Sequence, residues 1–178
     1  MPRPDPAEHA SYYGKYVALV PEGDILAAMR SELEQTLALL RDVPDDEALR
    51  RHAPYTWSLK EVVGHMIDGE RIFGYRALRF ARGDATPLPG FDENAYAQVG
   101  QFDRLPLGDL LAEFASVRRS NLSLFGNLAE DAWTRTGTAN GSAASVRALA
   151  YILVGHERHH TSIMRRRLAG PAGGVQRA

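Results

Sequence analysis

Three histidines carry the chemistry this chain can offer. His156 and His160 stand four residues apart in GHERHHTSIMRRRL, and His65 lies far upstream in WSLKEVVGHMIDGERIF. Residues at i and i+4 of a helix are neighbours on one face, so His156 and His160 could chelate one ion with little rearrangement. Imidazole nitrogen binds zinc at about 2.0–2.1 Å and also suits nickel, iron and copper. Two ligands from one turn leave such a site incomplete. His65, on the apolar face of another helix, is the natural third. His159 is the rival to His160, because i+3 is also a neighbour, but it falls toward the flank of the stripe. The bland alternative stays open for each motif: an exposed histidine pair is usually solvated, and a lone core histidine usually bonds a carbonyl.

Asp68 follows His65 by one turn. It could orient a ligand imidazole, serve as a base, or be a fourth ligand. The alternative is a flank carboxylate paired with Arg71. Glu157 reads as a surface residue, with an orienting role for the ligands as its other option. Arg76 and Arg118 lie on or near apolar stripes, where they either line a pocket for an anion or snorkel to the surface.

Four amphipathic segments must position these residues. The first spans Glu22 to Asp42, with Ile25, Leu26, Met29, Leu33, Leu37 and Leu40 on one face. The second spans Ser58 to Arg82, opened by a Ser58/Glu61 capping box with Trp57 as a hydrophobic staple. Its stripe is Val62, His65, Met66, Gly69, Ile72, Phe73, Arg76 and Phe80. Gly64, Gly69 and Gly74 interrupt this segment, each costing roughly 1 kcal/mol against alanine. They imply close approach by a neighbour, or room kept for a ligand. The third spans Pro106 to Asn127, and the fourth Ser145 to Leu168 with Ser145 as N-cap. In the fourth, Leu149, Ile152, Leu153, His156, His160, Ile163 and Met164 share a face. No convincing strand is seen. About twenty residues, GDATPLPGFDENAYAQVGQFDR, separate the second and third segments, long enough to carry a helix back along the bundle. The expectation is an all-α, four-helix bundle with a long crossover between helices 2 and 3. It forms a single domain over residues 1–178, with 1–15 and 170–178 flexible.

Composition narrows the function. The chain has 178 residues, a formal net charge of -1 and no cysteine. Disulfides, thiolate metal sites and a protein thiol nucleophile are excluded, so any metal is held by nitrogen and oxygen. The charge balance gives no reason to expect nucleic acid as partner. No apolar run reaches membrane-spanning length and no signal segment is evident, so the expected location is the cytoplasm, away from any membrane. P-loop, dinucleotide-binding, G-x-S-x-G and H-E-x-x-H motifs are absent.

The joint pattern of W-S-x-K-E-V-x-G-H-x-x-D at 57–68 and G-H-E-R-H-H at 155–160 resembles the DinB-like/YfiT-like metalloenzyme superfamily. The likeness extends to VPEGDIL at 20–26, YRALRFARGD at 75–84 and PGFDENAY at 89–96. The resemblance implies an up-down-down-up bundle, often a homodimer. It implies a divalent metal on His65, His156 and His160, commonly nickel or zinc, with iron or manganese as further candidates. It also implies a small-molecule substrate, with a low-molecular-weight thiol such as bacillithiol or mycothiol as the candidate, in S-transferase-type detoxification chemistry. Metal-dependent hydrolysis and a non-catalytic metal-binding module are the alternatives.

Overall fold

Capping chemistry sets where the helices start. The computed structural model describes residues 1–169. After a short turn of helix α1 (Gly14–Val17), α2 (Ile25–Leu40) opens on Asp24, whose Oδ1 accepts from the amides of Leu26 and Ala27. A four-residue α3 (Asp45–Ala48) precedes α4 (Leu59–Ala81). The α4 start is the expected capping box: Ser58 Oγ accepts from Glu61 N at 3.0 Å, and Glu61 Oε2 accepts from Ser58 N at 2.7 Å.

The crossover carries a helix of its own, α5 (Glu93–Gly100), capped by Asp92. Next comes α6 (Leu107–Gly126), which has no side-chain cap of its own; the free amide of Leu107 donates to Asp45 Oδ1 of α3 at 2.8 Å. The last helix, α7 (Val146–Leu168), opens on Ser145, whose Oγ accepts from Ala148 N. The four long helices match the four amphipathic segments to within a few residues at each end.

Between α6 and α7 the chain folds into a hairpin, β1 (Thr136–Ala139) paired antiparallel with β2 (Ser142–Ser145). This corrects the expectation of no strand. The turn is Asn140–Gly141, both at positive φ, the two-residue turn whose twist suits a hairpin. The signal was in the sequence but sits between two short runs of small residues with no apolar alternation.

Pairwise contacts fix the bundle order. Glu70 of α4 meets Arg118 of α6, and Gly74 meets Asn121 further along both helices, so α4 and α6 run parallel. Glu32 and Thr36 of α2 meet Arg158 and Thr161 of α7 in the same order, so these are parallel too. His65 lies by His160 and Gly69 by His156, which makes α4 and α7 antiparallel. The backbone oxygen of Met29 accepts from Arg118, and Leu26 packs by Gly126, which makes α2 and α6 antiparallel. The topology is up-down-down-up, and the crossover through α5 is what lets α4 and α6 run the same way.

The core forms two apolar clusters, one around Met29, Phe80, Phe125 and Leu149, the other around Leu59, Ile67, Leu110, Phe114 and Met164. A buried polar layer ties the helices together. Arg118, fully buried, donates to both carboxylate oxygens of Glu70 at 3.0 and 2.5 Å and to Met29 O at 3.2 Å; its Nη1 also lies 2.7 Å from Glu157 Oε2. Asn121 Nδ2 donates to Glu70 Oε2, and Thr36 Oγ1 donates to Glu157 Oε1 at 2.7 Å. All four long helices contribute.

Two expectations are corrected here. Arg118 does not snorkel, because three acceptors meet its guanidinium in the interior. Glu157 is 1 % exposed rather than a surface residue, because its side of α7 is turned to Thr36 of α2 and Arg118 of α6. Burial pushes the Glu157 carboxyl up to about 7, against the pull of Arg118.

Residues 1–15 also contact the bundle: Arg147 Nε donates to Glu8 Oε2 at 2.7 Å, and the Tyr151 hydroxyl donates to Met1 O. The tail at 170–178 lies outside the described residues. Among the described residues, no helix is long and apolar enough to cross a membrane.

Candidate metal centre

His65 points from the second turn of α4, and His156 and His160 from successive turns of α7. Because the two helices are antiparallel neighbours, the three rings converge. One ring nitrogen from each lies within 4.8 Å of the other two. His156 Nε2 stands 2.9 Å from His65 Nε2 and 3.1 Å from His160 Nε2.

That pattern constrains the chemistry. A ring nitrogen has a single in-plane lobe, holding either one proton or one lone pair. His156 Nε2 faces two other ring nitrogens and cannot make a well-aligned hydrogen bond to both. A shared cation removes the conflict. Nitrogens bound to one ion at about 2.0–2.1 Å stand roughly 3 Å apart, the spacing found from His156 to each of the other two. The donor set, three imidazoles, is the kind that takes zinc, nickel or iron.

The surroundings keep the rings neutral. Burial lowers His65 to about 4, with Glu93 opposing and His159 reinforcing the shift. Burial also holds His156 and His160 well below the usual histidine range, and the neighbouring imidazoles add to it. Neutral imidazole is the ligating form.

Packing fixes the ring positions. Gly69 leaves room for His156, since a Cβ there would lie 3.3 Å from its Cε1. Tyr16 meets the His156 ring edge-on at 5.4 Å, and Trp57 covers His65 at 5.0 Å. Trp57 is itself held by Arg167, which donates to its carbonyl at 2.9 Å. So Arg167 is buried and braces the loop before α4. The other two interrupting glycines admit neighbours as well: Gly64 faces the Phe102 ring and Gly74 faces Asn121.

The three histidines lie on the wall of a cavity of about 510 Å³. Its other walls come from distant parts of the chain. Tyr12, Tyr13, Lys15 and Tyr16 come from the N-terminal segment, Phe73 and Arg76 from α4, Phe91 and Glu93 from the crossover, and Asn140 from the hairpin turn. His159 also lines the cavity, but it stands outside the group of three and packs against Tyr16 at 5.5 Å. Asp68 does not line the cavity. Burial raises its carboxyl, and Arg71, its expected partner, pairs with Glu113 at 2.5 Å.

Sequence reasoning missed the tyrosine wall, Glu93 and Asn140. The run S-Y-Y-G-K-Y at 11–16 was the available signal, but three tyrosines near a terminus carry no periodicity that says what they cover.

The family model of the DinB superfamily matches residues 28–164. The chain belongs to the DinB superfamily. Among solved structures it is similar to YfiT from Bacillus subtilis, described as a probable metal-dependent hydrolase with an unusual four-helix bundle topology. The identity is 14%, the TM-score 0.71, and the match covers 84% of this chain and 93% of that one. It is also similar to a mycothiol-dependent maleylpyruvate isomerase at 15% identity and TM-score 0.68, covering 80% of this chain but 60% of the isomerase. A Streptococcus pneumoniae protein matches at 11% identity and TM-score 0.70, covering 89% of this chain and 98% of that one. At these identities the likeness shows the fold. No match was found among curated proteins.

Proposed function

We propose that this DinB-superfamily chain is a divalent-metal-dependent enzyme. His65, His156 and His160 hold the ion, and the reaction is S-transfer from a low-molecular-weight thiol to a small electrophile. The observation that carries the reading is the meeting of three neutral ring nitrogens on the wall of an accessible 510 Å³ cavity. A structural site is closed by protein ligands, whereas a catalytic one keeps free positions. A divalent ion held there, nickel or zinc in the first instance, supplies Lewis acidity that lowers the pKa of a thiol or water in contact with it.

The chain's own residues do the rest. Gly69, Tyr16 and Trp57 keep the imidazoles in place. Phe73, Phe91 and the tyrosines exclude water around a bound electrophile. The chain has no cysteine, so the thiol comes from outside. Glu93 is the carboxylate on the cavity wall available to take up a proton. Asp68, outside the cavity, fits an orienting role better than that of a base. A homodimer and a cytoplasmic setting belong to the same reading.

Metal-assisted hydrolysis is the second reading. It is favoured by Glu93 as a base for water and by the description given to YfiT.

The test uses untagged, metal-loaded protein. Turnover of a chlorodinitrobenzene-type electrophile is followed with bacillithiol, mycothiol and glutathione, and aryl-ester cleavage is followed without thiol. Thiol-dependent turnover that His65→Ala abolishes is the expected result. Thiol-independent ester cleavage with the same dependence would move the assignment to hydrolase. Activity equal to His65→Ala in every assay would overturn both.

A further inference from the structure

Arg76 is 4 % exposed, yet no carboxylate lies within ion-pairing distance of it among the described residues. Every other deeply buried arginine is differently placed: Arg118 sits between Glu70 and Glu157, and Arg167 is committed to the carbonyls of Arg50 and Trp57. Arg76 makes one hydrogen bond among the described residues, from Nη2 to Pro89 O at 2.8 Å, and its guanidinium lies over the Phe73 ring at 5.5 Å. Arg76 lines the cavity that holds the three histidines, and also a smaller one of about 250 Å³ beside Tyr75 and Tyr96. A guanidinium carries five donors and stays charged, so this is a buried cation with donors to spare and no anion of its own.

Its position relative to the histidines is set by α4. His65 and Arg76 are separated by about 16 Å of helix axis, and long helical side chains lean back toward the N-terminus. Phe73 lies between them: its ring meets Arg76 on one side and packs 6.4 Å from the His156 ring on the other. The lid over Arg76 is built, not incidental. Leu88 exchanges backbone hydrogen bonds with Thr138 and Asn140 of the hairpin, at 2.9 and 3.0 Å, and this pins the segment whose Pro89 carbonyl receives Arg76.

We infer that Arg76 is the anion-binding end of the cavity and that the substrate is an organic acid. Its carboxylate pairs with Arg76, its apolar body lies along Phe73 and Phe91, and its reactive end reaches the three histidines. The guanidinium fork matches a carboxylate in two parallel hydrogen bonds. Lys15 at the mouth adds positive charge. Glu93, the one carboxylate among the cavity-lining residues described, sits on the crossover and opposes a second anion at that side. This assignment rests on the cavity being the active site, but the binding of the acid through Arg76 does not require a metal.

The experiment is therefore run on metal-free protein. A series of ω-phenylalkanoates of increasing length is titrated calorimetrically against the matching carboxamides. The same titrations are followed through the Arg76 Nε–H resonance by NMR. At least one acid is expected to bind about tenfold or more tighter than its amide, the scale of one charge-assisted pair, and to shift the Arg76 resonance. Arg76→Gln is expected to abolish the preference, and Arg76→Lys to retain part of it. If the variants fail to fold, the wild-type acid-versus-amide comparison and the resonance shift still decide. Equal binding of acids and amides across the series overturns the inference, and so does a preference that leaves the Arg76 resonance unmoved. A preference found in protein that never takes up metal would sink the proposed catalysis and leave this binding site standing.

Discussion

Burying three imidazoles edge to edge is unfavourable unless they share something, because each loses water and His156 cannot bond both neighbours. His156→Ala and His160→Ala are each expected to reduce bound metal from near-stoichiometric to a small fraction, whereas His159→Ala retains it. Elemental analysis of untagged protein reads all three. Loss of metal in the His159 variant alone would mean that the wrong ring was assigned. Gly69 gives a finer test. Alanine there gains roughly 1 kcal/mol of helix propensity but sets a methyl 3.3 Å from the His156 ring. The expected outcome is a melting temperature near or above wild type, with metal affinity lowered about tenfold, the usual effect of disturbing a ligand's orientation. Competition with a chelator measures it. At this scale the sequence was informative about the ligands, because i,i+4 spacing and stripe position are local properties. It left Arg76 open between lining an anion pocket and snorkelling, because its isolation from any carboxylate among the described residues depends on what the crossover places above it.

Among the elements, the N-terminal segment and α7 depend on each other. A Cβ at Gly155 would fall 2.0 Å from the backbone oxygen of Tyr16, and backbone cannot swing aside as a side-chain tip can. Gly155→Ala is expected to push α1 off α7, cost about 2 kcal/mol or more in urea unfolding, and strip the tyrosine wall from the cavity. Retained stability with unaltered tyrosine fluorescence would show the contact to be soft. The same segment carries a pH signature. Hydrogen bonds from Arg147 hold Glu8 down at about 2, below the usual carboxylate value of 4.5. A depressed carboxyl stabilises the fold fully above its unfolded value and loses that contribution as pH falls from about 4.5 through about 2. Acid unfolding of Glu8→Gln should therefore show a shallower loss of stability in that window than wild type. Helix limits were legible, because caps such as Ser58/Glu61 and Ser145 act within four residues. The hairpin was not, because its small-residue strands gain their burial only by packing under the crossover and beside Phe80.

For the molecule as a whole, Arg118 is the tie. It meets α4, α2 and α7 from α6 without access to water. Arg118→Met leaves Glu70 and Glu157 buried without their cation, and removing one partner of such a group costs about 3–5 kcal/mol. Pairing it with Glu70→Gln and Glu157→Gln should recover a substantial part, and denaturant titration of the two variants compares them. A single variant as stable as wild type would show the network to be dispensable.

Local interactions determined what could be read directly from the chain: four helices, their caps, the faces that turn inward, and three histidines on those faces. The tertiary structure alone decided which side chains meet between the helices. It also decided that Glu157 and Arg118 are buried together rather than solvated, and that tyrosines, a crossover lid and a hairpin turn close one cavity. The physical reason is range. Periodicity and capping act over a turn of helix, whereas the burial of a charge and the wall of a cavity depend on groups brought together from across the chain, whose company no local pattern encodes.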